Sequence, residues 1–305
     1  MCDDAMITSQ GIIGTGTGTL MCFTGGNCGS FASVSADVSC TDYSATTDYS
    51  LGEIFDTYTL PLNASFINAF NSSAWLSLAI GGGSTWQVTS KLDLTVRPDG
   101  RINTSPVTST LPIIYRAINV QHVHVVQMAD ADSSDTLRCR WATNNVPTNS
   151  NNWDECGSVC EPSLPSGYTL FGDNCTLVFT LTTADYYAVA LQIEDYYTST
   201  SPTPMSSVPI QFLFYGVVDP GGCSTSPSII GVRPNLACIG TPIVMIHIQS
   251  IFKTKLVKSV TLLSGFLTNE TVIAQVGCPG KSIVEFTTSS PIGLIKSAII
   301  NPSTG

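Results

Sequence analysis

The sequence DYYAVALQIEDYYTSTSPTPMSSVPIQFLFYGVV, residues 185–218, decides the fold class. Tyr187, Val189, Leu191 and Ile193 alternate with Ala188, Ala190, Gln192 and Glu194. A period of two turns one side of a β-strand toward a core and the other toward solvent. A Ser/Thr/Pro run from Thr198 to Ser207 interrupts the pattern, and a second apolar run, Val208 to Val218, follows. Pro209 has no N–H for a strand ladder, so it belongs at a strand start or a sheet edge. Two neighbouring strands joined by a turn, each with one apolar face, form the end of a β-sandwich domain. The spacing Asp185-x-Tyr187-x-Val189 also fits a tyrosine corner, in which the ring hydroxyl ties a strand to the loop before it. The alternative is an ordinary strand tyrosine.

The same alternation recurs on the N-terminal side. Trp86, Val88, Leu92, Leu94 and Val96 alternate with Gln87, Thr89, Lys91, Asp93, Thr95 and Arg97, and Pro98-Asp99-Gly100 ends the run. Leu137, Cys139 and Trp141 share one side of a strand while Arg138 and Arg140 share the other; Cys175, Leu177, Phe179 and Leu181 repeat the pattern. A buried Cys near a buried Trp, followed by the tyrosine strand, is an immunoglobulin-like or cadherin-like arrangement. No long stretch carries an apolar period of 3.6, so the expected class is all-β, with tandem β-sandwich domains of immunoglobulin-like or jelly-roll-like type. The expected division is 1–104, 105–218 and 219–305, the last beginning at the linker Asp219-Pro220-Gly221-Gly222. Candidate strands in the third domain are 228–233, 242–250, 256–263, 271–276, 282–288 and 292–300, one short of the roughly seven such a sandwich has.

Composition narrows the classes of function. Charged residues are 11% of the 305 positions, against roughly 25% in a typical soluble domain. The net charge is −10 with only 12 Lys and Arg, which argues against nucleic acid, whose phosphates need clustered cations. Hydrophobic residues make up 43%, enough to fill cores rather than leave the chain disordered. No run approaches the about 20 apolar residues of a membrane helix. Met1-Cys2-Asp3-Asp4 is no signal peptide, which implies a removed leader or a segment of a longer precursor.

The cysteines and sequons point to an extracellular setting. The 11 Cys fall into three clusters. Cys2, Cys22, Cys28, Cys40, Cys139, Cys156, Cys160, Cys175, Cys223 and Cys238 are assigned to disulfides, with one thiol of the 11 free or paired between chains; which one that is, and the connectivity, stay open. Zinc is disfavoured, because no C-x-x-C spacing occurs. N-glycosylation acceptors stand at Asn63, Asn71, Asn103, Asn174 and Asn269. Together these features describe a secreted, disulfide-bonded glycoprotein with N-linked glycans as partners.

RCRWA (138–142), ECGSVC (155–160), YYAVALQIEDY (186–196) and SSVPIQFLF (206–214), with CDDAMITSQGIIGTGTGTL near the start and SPIGLIKSAI (290–299) near the end, resemble a family of uncharacterised extracellular proteins of aquatic invertebrates. The resemblance implies immunoglobulin-like or cadherin-like β-modules in multidomain surface or secreted chains. It implies no activity and transfers no catalytic residue.

Candidate sites are few. The histidines are His122, His124 and His247, and no G-x-S-x-G elbow precedes a helix. No catalytic residue, cofactor or enzymatic role is expected. His122-x-His124 would place both rings on one strand face, as in some metal sites, but no third ligand is identifiable. Asp130, Asp132 and Asp135 offer carboxylates suited to calcium; the alternative is a solvated turn whose acids bond their own backbone. Ile13 to Thr19, alternating β-branched residues with glycine, reads as a slim strand that could be donated to another molecule, and Ile292 to Ile300 as a second apolar terminal segment. The expected role is a structural subunit of an extracellular fibre or matrix, a homopolymer joined head-to-tail by strand or edge contacts. The alternative is a ligand- or cell-binding ectodomain segment of a larger surface protein.

Overall fold

The structure is a computed structural model. It describes residues 2–14, 16, 18–24, 28–31, 33–73, 75–83, 85–146, 149–218, 227–230, 245–247, 256–263, 267–280, 282–283, 285–289 and 292–296. A short helix, α1 (Asp4–Ser9), is capped by Asp3, whose carboxylate accepts the Met6 N–H at 2.8 Å. Strands follow as β1 (Ile12–Ile13), β2 (Thr19–Thr24), β3 (Ser33–Ser35), β4 (Val38–Ser44), β5 (Tyr49–Glu53), β6 (Ser65–Ser72) and β7 (Trp86–Asp93). Next come β8 (Val107–Ser109), β9 (Ile113–Ala117), β10 (Gln121–Val125), β11 (Gln127–Ala129), β12 (Thr136–Trp141), β13 (Thr169–Phe171) and β14 (Thr176–Thr180). The long pair β15 (Tyr186–Tyr196) and β16 (Ser206–Val217) precedes β17 (Ser228–Ile230), β18 (Met245–His247), β19 (Leu256–Leu263), β20 (Leu267–Gln275), β21 (Thr287–Ser289) and β22 (Ile295–Lys296). The chain is nearly all-β, as its periodicity requires, and its sheets are predominantly antiparallel.

The expected three consecutive domains are corrected to two compact units, each assembled from separated stretches of chain. One comprises residues 16–36 and 56–218, the other 1–15, 37–55 and 219–305. In the first, a large sheet runs in the order β12-β15-β16-β7-β6-β2-β3, with β9 parallel to the second half of β16. The β15–β16 register pairs Tyr187 with Phe214, Val189 with Phe212 and Leu191 with Ile210. This apolar face packs on the sheet β10-β14-β13: Phe179 stacks on Phe214 at 4.2 Å, and His124 lies 5.4 Å from Phe214. The Cys139–Cys175 disulfide joins β12 to the residue preceding β14. Tyr187 is 1% exposed, and its hydroxyl accepts the Thr183 N–H at 3.0 Å, the bonding of a tyrosine corner.

The opposite face departs from expectation. Gln87, Thr89, Gln192 and Glu194, read as solvent-facing, are buried. Chain between β12 and β13 lies over them. Its Asp154 carbonyl accepts both Gln87 Nε2 and Thr89 Oγ1 at 2.6 Å, and the Cys156–Cys160 disulfide closes a loop within it. Arg140 donates to both carboxylate oxygens of Glu155 at 2.7 Å and to Glu194 at 2.9 Å. Burial opposes its positive charge, but these two acids more than offset that, and the guanidinium is held above its ordinary pKa.

The other unit contains the sheets β1-β4-β5, β17-β20-β19-β22 and β18-β21. The C-terminal strands do not stand alone, as a separate 219–305 domain would, because residues of β4 and β5 bond into them. Asp42 of β4, 0% exposed, accepts the Thr288 N–H at 2.6 Å and its Oγ1 at 2.7 Å, and pairs with Lys296. Ser44 donates to Glu285 at 2.5 Å, and Glu53 accepts the Ile292 N–H at 3.0 Å. Cys2–Cys40 ties α1 and β4 together around Ile7.

The two terminal segments offered as donor strands are engaged within the chain. Ile12 and Ile13 pair with Ser39 and Val38, while Thr19 to Met21 pair with β3. Between them Gly14, Gly16 and Gly18 adopt φ of 76°, 76° and 139°. These left-handed values are open to glycine and break an extended strand. The glycine alternation is thus a turning segment and not the continuous strand expected. Ile295 and Lys296 pair with Thr261 and Val260 of β19; residues 297–300 and the 219–222 linker lie outside the described residues. The remaining described disulfide is Cys22–Cys28. Cys278, outside the ten cysteines assigned to disulfides, is itself disulfide-bonded; Cys223 and Cys238 lie outside the described residues. No helix among the described residues is long and apolar enough to cross a membrane.

Candidate functional site

Alternation along the three-stranded sheet β10-β14-β13 sorts its side chains. His124, Leu177 and Phe179 point into the core, and Gln121, Val123, Val125, Thr176, Val178, Thr180, Thr169 and Phe171 share the outer face. Val123 is 63% exposed, Phe171 53% and Val125 46%. None of these outer positions is charged. A flat, β-branched, uncharged sheet surface with an edge strand is usually guarded by Lys, Pro or a covering element; here the residues themselves carry no such guard.

A second feature lies on the large sheet. Met21 and Phe23 of β2, Asn71 of β6, Gln87 of β7 and Trp153–Asp154 of the covering loop line a cleft of about 460 Å³. The Phe23 and Trp153 ring centroids are 5.0 Å apart. Asn71 and Gln87 are directly opposed across β6 and β7, and the Asn71 Nδ2 donates to Gln87 Oε1 at 2.6 Å. Asp154 is fixed by the Cys156 and Gly157 N–H groups, which donate to its Oδ1 at 3.1 and 2.9 Å. Phe23 and Trp153 escaped the sequence reading because neither sits in a periodic run. The direct opposition of Asn71 and Gln87 depends on a strand register that composition does not carry.

The acidic cluster is brought together, but around a cation the chain already supplies. Ligand atoms of Asp130, Asp132 and Asp135 lie within 4.8 Å of one another. The Arg97 guanidinium, with a side chain 2% exposed, meets Asp132 at 2.8 Å and both oxygens of Asp135 at 2.6 and 3.0 Å. Burial opposes the Arg97 charge, and the bond and charge of Asp135, with Asp132 and Asp99, more than offset it. The guanidinium thus sits against two of the three acids offered for calcium, while Asp130 Oδ2 is buried with no hydrogen-bond partner among the described residues. Burial pushes Asp130 up to about 6, against the opposing bonds from the Asp132 N–H and Thr104 hydroxyl. Arg97, placed by the alternation on the solvent side, is buried instead, because the fold brings it Asp132 and Asp135 from more than 30 residues away.

His122 and His124 do share the inner face of β10. His122 Nε2 is 2.7 Å from the Ala117 carbonyl oxygen, with its pKa lowered chiefly by burial, and His124 packs against Phe212 and Phe214. His124 is a core side chain and His122 is half-buried beside it. His247 pairs through its backbone with Thr287. No family model matches the chain, and no curated protein matches it.

The sequons separate by exposure. Asn63, in a turn at φ 62°, Asn71 and Asn174 are exposed. Asn103 is 8% exposed, and its Nδ2 donates to the buried Asp195 at 2.5 Å. Asn103 therefore differs from Asn63, Asn71 and Asn174 in having its amide buried and engaged with an internal acid. Asn269 lies within β20.

Proposed function

We propose that this chain is an extracellular, N-glycosylated structural module that associates with copies of itself through a sheet surface. The observation that carries this reading is the uncharged outer face of β10-β14-β13, with Val123, Val125 and Phe171 each about half or more exposed. Closing such a face removes apolar area from water at roughly 25 cal/mol per Å². The resemblance to surface and secreted proteins of aquatic invertebrates favours the same setting, as do the disulfides. The inter-sheet Cys139–Cys175 bond and the Tyr187 corner favour an immunoglobulin-like reading of this unit.

Strand donation from Ile13 to Thr19 is not the contact we favour, because that segment is used within its own chain. Contact of this one patch with its copy is isologous and closes a pair; extension to a fibre would need a second surface. Sedimentation of the secreted, glycosylated protein tests the reading. Self-association is expected, and Val123→Lys should weaken it about tenfold or more by setting like charges against each other. A monomer at every concentration would overturn it and favour the ligand- or cell-binding ectodomain instead.

A further inference from the structure

We propose that Asn71 carries an N-linked glycan whose innermost sugar is seated in the cleft of Met21, Phe23 and Trp153, so that this cleft serves the chain's own glycan and not a diffusing ligand. The inference rests on the extracellular glycoprotein reading. Its starting point is that a glycan acceptor lines the cleft: Asn71-Ser72-Ser73 is a sequon, and Asn71 is one of the cleft's exposed walls. A pyranose bonded to Asn71 Nδ2 can lie no further from that atom than its own ring width. Whatever conformation the outer branches take, the first sugar is confined to this neighbourhood.

The amide is also aimed. A side-chain amide has two N–H donors. One donates to Gln87 Oε1 at 2.6 Å, and Gln87 is itself 5% exposed and anchored by its Nε2 to the Asp154 carbonyl at 2.6 Å. The second is the one that glycosylation replaces. The Nδ2 lone pair attacks the anomeric carbon of a lipid-diphosphate-linked oligosaccharide. The N–C1 bond forms, the C1–O bond to the diphosphate breaks with its electrons, and the nitrogen gives up one proton. A glycosylated Asn71 keeps one N–H, so the Gln87 bond survives and fixes the direction of the sugar.

The cleft chemistry fits such an occupant. An N-acetylglucosamine presents C–H faces and an acetamido methyl, which suit Met21, Phe23 and the Trp153 ring, and hydroxyls that suit a polar rim. Met21 at 41% and Phe23 at 37% exposure are apolar surface that a seated sugar would cover. Asn63 and Asn174 are exposed sequons that do not line this cleft, and they serve as internal controls.

The test is site-resolved glycopeptide mass spectrometry of the protein secreted from glycosylating cells, followed by native enzymatic deglycosylation over time. Asn71 should be occupied, and its glycan released about tenfold or more slowly than those at Asn63 and Asn174, with the difference abolished by denaturation. Phe23→Ala and Trp153→Ala should each bring release at Asn71 up to the rate of the controls without changing theirs. Should Trp153→Ala fail to be secreted, the half-exposed Phe23→Ala still decides. Occupied controls with Asn71 empty, or equal native release at all three, would overturn the glycan seat alone. No occupancy at any sequon would overturn the glycoprotein reading along with it.

Discussion

Both faces of β15 are buried, but by different means. Tyr187, Val189, Leu191 and Ile193 are at most 1% exposed because a second sheet covers them with Phe179, Leu177 and their neighbours. Gln192 and Glu194, on the other face, are as well hidden at 0% and 2%, under a loop with no strand of its own across most of its length. The first face is held by the non-directional removal of apolar area from water. The second is held by directed bonds: Gln192 to the Thr89 carbonyl at 3.0 Å, Ser207 to Gln192 at 2.6 Å, and Arg140 to two acids. Equal burial therefore hides unequal tolerance. An apolar face loses roughly what is cut away, whereas a polar one strands the partner of whatever is removed.

The largest break in that comparison is Arg140→Met. Glu155 and Glu194 have side chains 0% and 3% exposed, and both would keep a buried charge with its main counter-ion gone. A loss of about 3–5 kcal/mol is expected in urea denaturation. Adding Glu155→Gln and Glu194→Gln to the same protein should restore part of it, since the uncompensated charges go with them. A smaller cut on the apolar face, Ile193→Val, should cost about 1 kcal/mol. If Arg140→Met cost no more than Ile193→Val, the polar face would owe its burial to packing and not to its ion pairs.

The sequence carried the apolar half of this contrast and not the polar half. Period-two runs at 86–93, 136–141, 176–180 and 186–196 all became strands, and Tyr187 took up its corner. Alternation, however, records only which side chains are apolar; it assigns the polar ones to water by default. Gln87, Thr89 and Glu194 escaped that default because an irregular loop, without periodicity of its own, supplied their partners. The division into units was hidden for a similar reason. Asp42 meets Thr288 and Lys296 across more than 240 positions, and nothing local in either segment names the other. The candidate sites split along the same line. Val123 and Val125 were legible as strand residues, but their exposure depends on which face the second sheet covers, and the burial of Asn103 against Asp195 is set by the fold in the same way.

The smallest effect lies where the two kinds of burial meet, at the end of the apolar face. Asp195 continues the series from Tyr187 to Ile193, yet it is a carboxylate, bonded by Asn103 at 2.5 Å and by Ser206 at 2.7 Å. Burial raises its pKa, and that of nearby Asp130 reaches about 6, with the charge of Asp195 among the causes. A carboxyl whose folded pKa exceeds its unfolded value of about 4 binds more protons when folded, so its contribution to stability is present below about pH 4 and is lost as pH rises through about 6. Asp130→Asn removes that titration while keeping the acceptor for Thr104 and the Asp132 N–H. Asp195 remains in both proteins and is coupled to Asp130 in the native one alone. The stability of the native protein relative to the variant should therefore fall between about pH 4 and about pH 6, with its midpoint near 5, in denaturant unfolding followed across pH. Parallel curves would mean that Asp130 is well enough solvated to behave as a surface acid, and that the polar end of β15 is open to water where the polar face beneath the loop is closed.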